Sequence, residues 1–354
     1  MFATKAGGMS SPEGRRVLWR GPLFGRLSKA GQDFLIREGG WENLEAASKE
    51  SSGERIQFIW PNKTGPQFEM DDDQAAHIRP YPKVATDIVD DKLQLAELLK
   101  MHASEIAPPT ITSPDSSQKG KLYFVKHRFG AQGKSVYVYN RIQLEEWWQR
   151  SKNPQDFVIQ QEVPPALDEQ GRKFVLRAHI LMLQSSDKPV RAFLHKDIIC
   201  LPHASPYAKE DCSHANTPKS AYISQAGKKH PPPFLLQDIS SPNHPAAGLW
   251  PNIRRCTEKL VSAGCCLKDS PFQQPVAQAT TCFALLGADL LVSSEGQVIV
   301  CEVNSHPALG WGTMSQVPAA VFRGLIEDSL SIIVFDKMKE GNKFESLKIH
   351  DHAP

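Results

Sequence analysis

Apolar residues recur with two different periods along this chain, and each period predicts a different kind of element. "QDFLIREGGWENLEAAS" has helical spacing and predicts a short helix closed by Gly39 and Gly40, then a second helix. "IQFIW" predicts a short strand from Ile56 to Trp60, ended by Pro61. In "ATDIVDDKLQLAELLKMHA", Ile88, Leu95, Leu98 and Leu99 fall at helical spacing, so a helix is expected, followed by the loop "APPTITSPDSSQKG". Strands then dominate: Leu122–Lys126, Val136–Tyr139, Phe157–Gln161, Phe174–Leu183 and Ala192–Leu194, with "RIQLEEWWQR" as a helix between the second and third. From His203 to Thr280 the pattern dissolves into a loop-rich insertion that holds many of the 27 prolines and one or two short helices. "FALLGADLLVSSEGQVIVCEV" restores order as a helix end or strand, a hairpin and a second strand, and "VPAAVFRGLIEDSLSIIVFD" closes the domain as a helix. Strands and helices without strict alternation predict an α+β fold rather than a doubly wound sheet.

Composition narrows the classes. A chain of 354 residues can hold two or three domains with proper cores. A hydrophobic share of 40%, a charged share of 23% and a net charge of +2 are those of a soluble globular protein and give no reason to expect nucleic-acid binding. No stretch has the unbroken apolar length of a membrane span, and the N-terminal segment lacks a signal peptide's apolar core. The seven cysteines show no CxxC spacing and read as reduced thiols. A cytoplasmic protein without nucleic-acid or membrane partners is expected.

Three local constellations carry candidate chemistry. In "CEVNSHPALGWG", Glu302 and Asn304 project from one strand face, alongside Val298 and Val300. A two-residue turn at Glu295-Gly296 sets Asp289 directly opposite Glu302, and a four-residue turn sets it diagonally on the same face. Facing carboxylates destabilise a sheet, and a bound hard cation such as Mg²⁺ offsets that repulsion. In "GRKFVLRAHILML", alternation gives Phe174, Leu176, Ala178, Ile180 and Met182 one face, and Lys173, Val175, Arg177 and His179 the other. Two cations on one strand face suit a phosphate chain or a carboxylate. In "KLYFVKHRFGAQGKSVYVY", Lys126 ends an apolar row that holds Leu122 and Phe124. Gly130 and Gly133 then allow backbone N–H groups to approach phosphates. The spacing is not that of a Walker loop. Taken singly, each constellation also fits a plainer description: a solvated strand face, a pair of rim charges, and a hairpin with a basic tip. Together they supply what metal-assisted phosphoryl chemistry requires.

These residues resemble the tubulin–tyrosine ligase and ligase-like family, in order over about Pro109 to Phe335. "PPT" (Pro108 to Thr110), "YFVKHRFGAQGKSVYV", "FVIQQEV", "GRKFVLRAHIL" and "FALLGADLL…VCEVNSHPAL" carry the resemblance, with "EVN-x-x-P-x-L" the most specific. It implies an ATP-grasp fold with a small N-terminal α/β domain. The implied divisions are an N-terminal domain over 1–80, a central lobe over 81–155, a C-terminal lobe over 156–340 with an insertion at about 203–280, and a tail over 341–354. It implies ATP and Mg²⁺ as cofactors, a free amino acid as co-substrate, and a tubulin C-terminal tail as acceptor, with microtubule association. ATP would phosphorylate a peptide carboxylate, and an amine would attack the acyl phosphate.

By carry-over, Lys126 holds the α/β-phosphates, and Gly130, Gln132 and Gly133 belong to the mobile loop. Gln160 matches a family Gln, and Gln161, Glu162 and Val163 offer backbone contacts to adenine. Lys173 and Arg177 steady the γ-phosphate and the acyl phosphate, Lys196 orients a substrate carboxylate, and Asp289, Glu302 and Asn304 bind Mg²⁺. The chain departs from the family pattern at three places: Val175 stands where Asp is usual, Lys196 where Arg is usual, and "HANT" (His214 to Thr217) replaces the "H-L-T-N" signature. The same residues also fit a nucleotide-binding pseudoenzyme that recognises tubulin or another partner, and a small-molecule ATP-grasp ligase or kinase.

Overall fold

A computed structural model describes residues 18–20, 25–39, 56–59, 78–81, 83–130, 135–186, 188–207, 219–223, 231–266, 272, 280–310 and 312–350. The helix expected in "WENLEAAS", together with Gln132, Gly133 and "HANT", lies outside them. The N-terminal part supplies β1 (Leu18–Arg20), α1 (Gly25–Gly39), β2 (Ile56–Ile59) and β3 (Ile78–Pro80). Helices α2 (Lys83–Asp90) and α3 (Lys92–His102) follow, then β4 (Thr110–Ile111), β5 (Tyr123–His127), β6 (Val136–Tyr139), α4 (Arg141–Arg150) and β7 (Phe157–Gln161). The remainder runs β8 (Phe174–Ser185), β9 (Lys188–His195), β10 (Ile199–Pro202), β11 (Phe234–Leu235), α5 (Trp250–Cys266), β12 (Thr281–Val292), β13 (Val298–Asn304), α6 (Ala319–Phe335) and β14 (Phe344–Leu347).

The architecture is α+β, with a small sheet ordered β4-β7-β5-β6 and a large one organised around β8 and β12. These two long strands pair antiparallel from Thr281↔Ser185 to Leu291↔Val175. On the far edge of β8, β10 covers the Phe174–Arg177 half and β9 the other half, with β14 beyond β9. On the far edge of β12, β3 joins in parallel and β13 antiparallel. Strands β1 and β2 continue outward from β3, so the N-terminal strands extend the large sheet instead of forming one of their own.

Side-chain alternation along β8 explains its double burial. Leu176, Ala178, Ile180 and Met182 face a core covered by α2, α3 and α5, while Leu181 and Leu183 face a second core under α1 and α6. Each fully buried Leu or Ile there stabilises by about 1.5–3 kcal/mol relative to exposure. With helices on both faces, Arg177 and His179 are buried at 3% and 1% exposure, which removes the rim-charge alternative for Arg177. The small sheet buries Tyr123, Val125 and Ile159 under α4, whose Trp147 and Trp148 pack on the same cluster.

Three expectations change. The helix over Ala85–Ala103 is two helices, broken at Asp91, whose extended backbone (φ −75°, ψ 117°) and side chain cap α3 by accepting the Leu93 N–H at 2.9 Å. The described residues of the insertion include more than short helices. They contain the 17-residue helix α5, which buries Ile253, Cys256, Leu260 and Val261 in the first core. The hairpin turn is not the two-residue Glu295-Gly296 turn: Ser293 pairs with Gln297 around Ser294-Glu295-Gly296, with Gly296 at φ +76°. That shift of register is undone by a bulge at Cys301, so Asp289 still stands opposite Glu302. The bulge also moves the carboxylate to the other face. Val298, Val300 and Val303 enter the first core, and Glu302 joins Arg177 and Asp289 opposite them.

Candidate functional site

The site forms where the small sheet meets the large one. Leu122, just before β5, and Phe124 on it face a cluster with Tyr222 and Ile223, and Lys126, next in that row, reaches across to β13. Its ammonium donates to Gln160 Oε1 on β7 at 2.8 Å and approaches Cys301 Sγ at 3.3 Å. The lysine is 7% exposed. A cation this deep needs partners; its hydrogen-bonding neighbours are an amide oxygen and a thiol, and the Glu302 carboxylate lies within electrostatic reach.

Lys173 precedes β8 and is enclosed on several sides. Its ammonium lies 3.3 Å from Glu162 Oε1, 5.0 Å from the Phe124 ring centre and 5.3 Å from that of Tyr207. Tyr207 in turn donates its hydroxyl to Glu162 Oε2 at 2.8 Å. Burial lowers the proton affinity of Lys173, and Glu162 opposes that effect. Two turns of alternation further along the basic strand, Arg177 grips Asp289 with a bidentate fork, Nε to Oδ1 at 2.5 Å and Nη2 to Oδ2 at 2.9 Å. Burial works against the Arg177 charge, yet Asp289 more than offsets it and the guanidinium is held more firmly protonated than a free one. Gly287 makes this approach feasible, because a Cβ there would lie 2.7 Å from Pro307 Cβ and 3.4 Å from Arg177 Cδ.

Glu302 completes the acidic wall. Burial raises its proton affinity, Lys92 at 3.5 Å opposes the rise, and Asp289 adds to it. Lys92 also donates to the Gly130 carbonyl at 2.7 Å, linking the glycine-bearing turn to β13. Asn304 sits at the strand end, with Nδ2 3.5 Å from the Gly287 carbonyl. The donor set is thus two carboxylates and an amide oxygen. Among the described residues, no group of three or more His, Cys, Asp and Glu side chains is gathered to hold a metal. Two carboxylates fit a hard cation that keeps waters or phosphate oxygens as its other ligands. Glu302, costly to ionise where it stands, would gain from such a countercharge.

Most residues singled out in the sequence meet here: Lys126, Gly130, Gln160, Glu162, Lys173, Arg177, Asp289 and Glu302. Gln161 and Val163 flank Glu162; the Gln161 N–H donates to the Pro109 carbonyl and the Glu162 N–H to the Leu122 carbonyl, both at 2.8 Å. The amides of Gln161 and Glu162 are therefore spent within the protein, and Glu162 works through its carboxylate as well. Lys196 does not join the cluster: half-exposed, it pairs with Glu345 Oε1 of β14 at 2.8 Å. Lys92, Cys301 and Tyr207 were missed. The Asp-Asp-Lys break before a helix was a usable signal for Lys92, whereas Cys301 and Tyr207 reach the site only through tertiary contacts. Lys92, Leu95, Leu99, Pro108, Gln160 and Cys301 also line a small pocket with an apolar floor from α3 and polar edges.

A model of the tubulin-tyrosine ligase family matches residues 89–341, more than half of the chain. The Caenorhabditis elegans protein named probable tubulin polyglutamylase ttll-9 is 23% identical over 237 residues, covering 63% of this chain and 54% of that protein. The chain therefore spans about half the length of this curated relative. No helix among the described residues is long and apolar enough to cross a membrane.

Proposed function

The chain belongs to the tubulin-tyrosine ligase family, and from that premise we propose that it is an ATP-dependent ligase that joins an amino acid to a carboxylate of a protein tail, tubulin's above all. The observation that carries this reading is a buried cluster where the two sheets meet, in which the cations Lys126, Lys173 and Arg177 gather with the carboxylates Asp289 and Glu302 on neighbouring strands. Bound Mg–ATP would supply the phosphoryl group that converts an unreactive carboxylate into an acyl phosphate open to attack by an amine.

The chain's own residues then position and neutralise. The ammonium groups of Lys126 and Lys173 would bind phosphate oxygens of the nucleotide. Asp289, Glu302 and Asn304 would hold the cation. A cation on Asp289 would replace the guanidinium as its partner, leaving the Arg177 fork for the transferring group. Gly130 lets the turn pass close to Ser135, since a Cβ there would stand 2.9 Å from Ser135 Cβ.

The worm relative's name, a probable tubulin polyglutamylase, makes glutamate the first amino acid to test. Purified protein is incubated with Mg–ATP, tubulin and a panel of labelled amino acids, and the tails are read by mass spectrometry. A tail heavier by one or more amino-acid residues supports the ligase. A second reading, a nucleotide-binding protein that recognises its partner without ligating, is favoured by buried Val175 between Lys173 and Arg177 and by Lys196 paired away from the cleft. Nucleotide binding with unmodified tails for every amino acid selects it.

A further inference from the structure

Helices α2 and α3 meet at Asp90, Asp91 and Lys92, and these three consecutive residues grip different walls of the cleft. Asp90 Oδ2 accepts a 2.6 Å hydrogen bond from Ser305 Oγ, one residue past Asn304. Asp91 Oδ2 accepts from Arg128 Nε at 2.8 Å and also from its Nη2. The Lys92 N–H donates to the Arg128 carbonyl at 3.3 Å, while its ammonium spans Gly130 O at 2.7 Å and Glu302 Oε2 at 3.5 Å. Successive side chains in an unbroken helix point roughly 100° apart and do not share partners on one side. The extended backbone at Asp91 interrupts that rotation.

Asp91 is the centre of this junction. Its side chain is 1% exposed and that of Arg128 is 30% exposed, so the carboxylate has traded water for one guanidinium, the cap of α3 and a long contact from Gln94 Nε2 at 3.5 Å. Arg128 is the first residue of the glycine-bearing turn after β5, and it also lies 4.8 Å from the centre of the Phe129 ring. We propose that Asp91 and Arg128 are positioning residues for the nucleotide site. Their ion pair holds the base of the turn against α3, so that Lys92 can bridge Gly130 and Glu302 and the cleft walls keep one spacing. The inference rests on the nucleotide reading above. Asp91 and Arg128 act through Lys92, Gly130 and Glu302.

The test compares the full-length wild type with Asp91→Asn, Arg128→Leu, the double variant and Arg128→Lys. Asparagine keeps an acceptor for the cap while removing the charge. Two quantities are measured: Mg–ATP affinity by calorimetry, and amide hydrogen exchange without nucleotide at residues 127–130 and 302–305. Each single variant is expected to weaken Mg–ATP binding about tenfold, the usual effect of removing a partner that orients a ligand-binding group. The double variant should be no worse than the weaker single, and Arg128→Lys should recover part of the loss. Exchange should quicken in both segments, although Arg128 itself touches only the first. Wild-type affinity in every variant, or losses that multiply, overturns the proposal. If the wild type itself binds no Mg–ATP, the functional reading falls separately. Exchange then decides the junction: unchanged rates at 302–305 in Arg128→Leu overturn it, and faster rates there support it.

Discussion

The Arg177–Asp289 fork offers a stability measurement whose size follows from the geometry. Both hydrogen bonds are short, 2.5 and 2.9 Å, and the side chains are 4% and 14% exposed, so neither charge can recover its hydration if the other is removed. Arg177→Met leaves Asp289 opposite Glu302 with its cation gone, and truncating one partner of a buried pair costs about 3–5 kcal/mol. Asp289→Leu strands the guanidinium, although Glu302 nearby softens the loss, to about 2–3 kcal/mol on the same basis. Replacing both with apolar groups of similar volume should bring the protein back to within about 1 kcal/mol of wild type. Urea denaturation of the four proteins gives a double-mutant cycle with a coupling of roughly 4–8 kcal/mol. If the double variant instead loses the sum of the singles to within about 0.5 kcal/mol, the two side chains are energetically independent and the fork is not what it appears from its distances.

Two further measurements probe the surroundings of the site. Gly287→Ala places a Cβ 2.7 Å from Pro307, whose ring cannot swing away, and should destabilise the protein by about 1–3 kcal/mol in a thermal melt, as overpacking does; an unchanged melting temperature would mean the segment at Pro307 yields freely. His179 is buried, and burial first, then Arg177 and His195, hold its proton affinity well below the ordinary imidazole range. As pH falls below the ordinary histidine value of 6.5, the unfolded chain gains a proton that the folded protein refuses, so folded stability drops. His179→Leu should lose less stability than wild type between about pH 7.5 and pH 5, and equal slopes in the two proteins would refute the assignment.

Much of the strand framework was legible from alternation, which along Phe174–Met182 picked out the residues of the first core but did not report that the opposite face, with Val175, Arg177 and His179, is buried as well. The pairing of Asp289 with Glu302 was also reached, but through two departures that cancel: a longer turn at Ser293–Gln297 and an extra residue at Cys301. A bulge leaves no mark in a row of apolar residues, so the face on which Glu302 projects could not be read. Helix α5 was hidden by the proline-rich segments around it, although Ile253, Cys256 and Leu260 have helical spacing. The role of Glu162 as the buried partner of Lys173 depends on two strands meeting, which no local pattern encodes. Sequence order placed Lys196 near the basic strand, and it could not show that β14 supplies Glu345 as its ion-pair partner.

The nucleotide cleft is tested most directly by calorimetric titration of Mg–ATP into the wild type beside Lys126→Ala. The wild type should show saturable heat for a single site, and the variant, lacking the ammonium that joins β5 to β13, should bind far more weakly at a temperature where both proteins remain folded. No heat from the wild type, or the same affinity in both proteins, would contradict the cleft as the place where ATP is held.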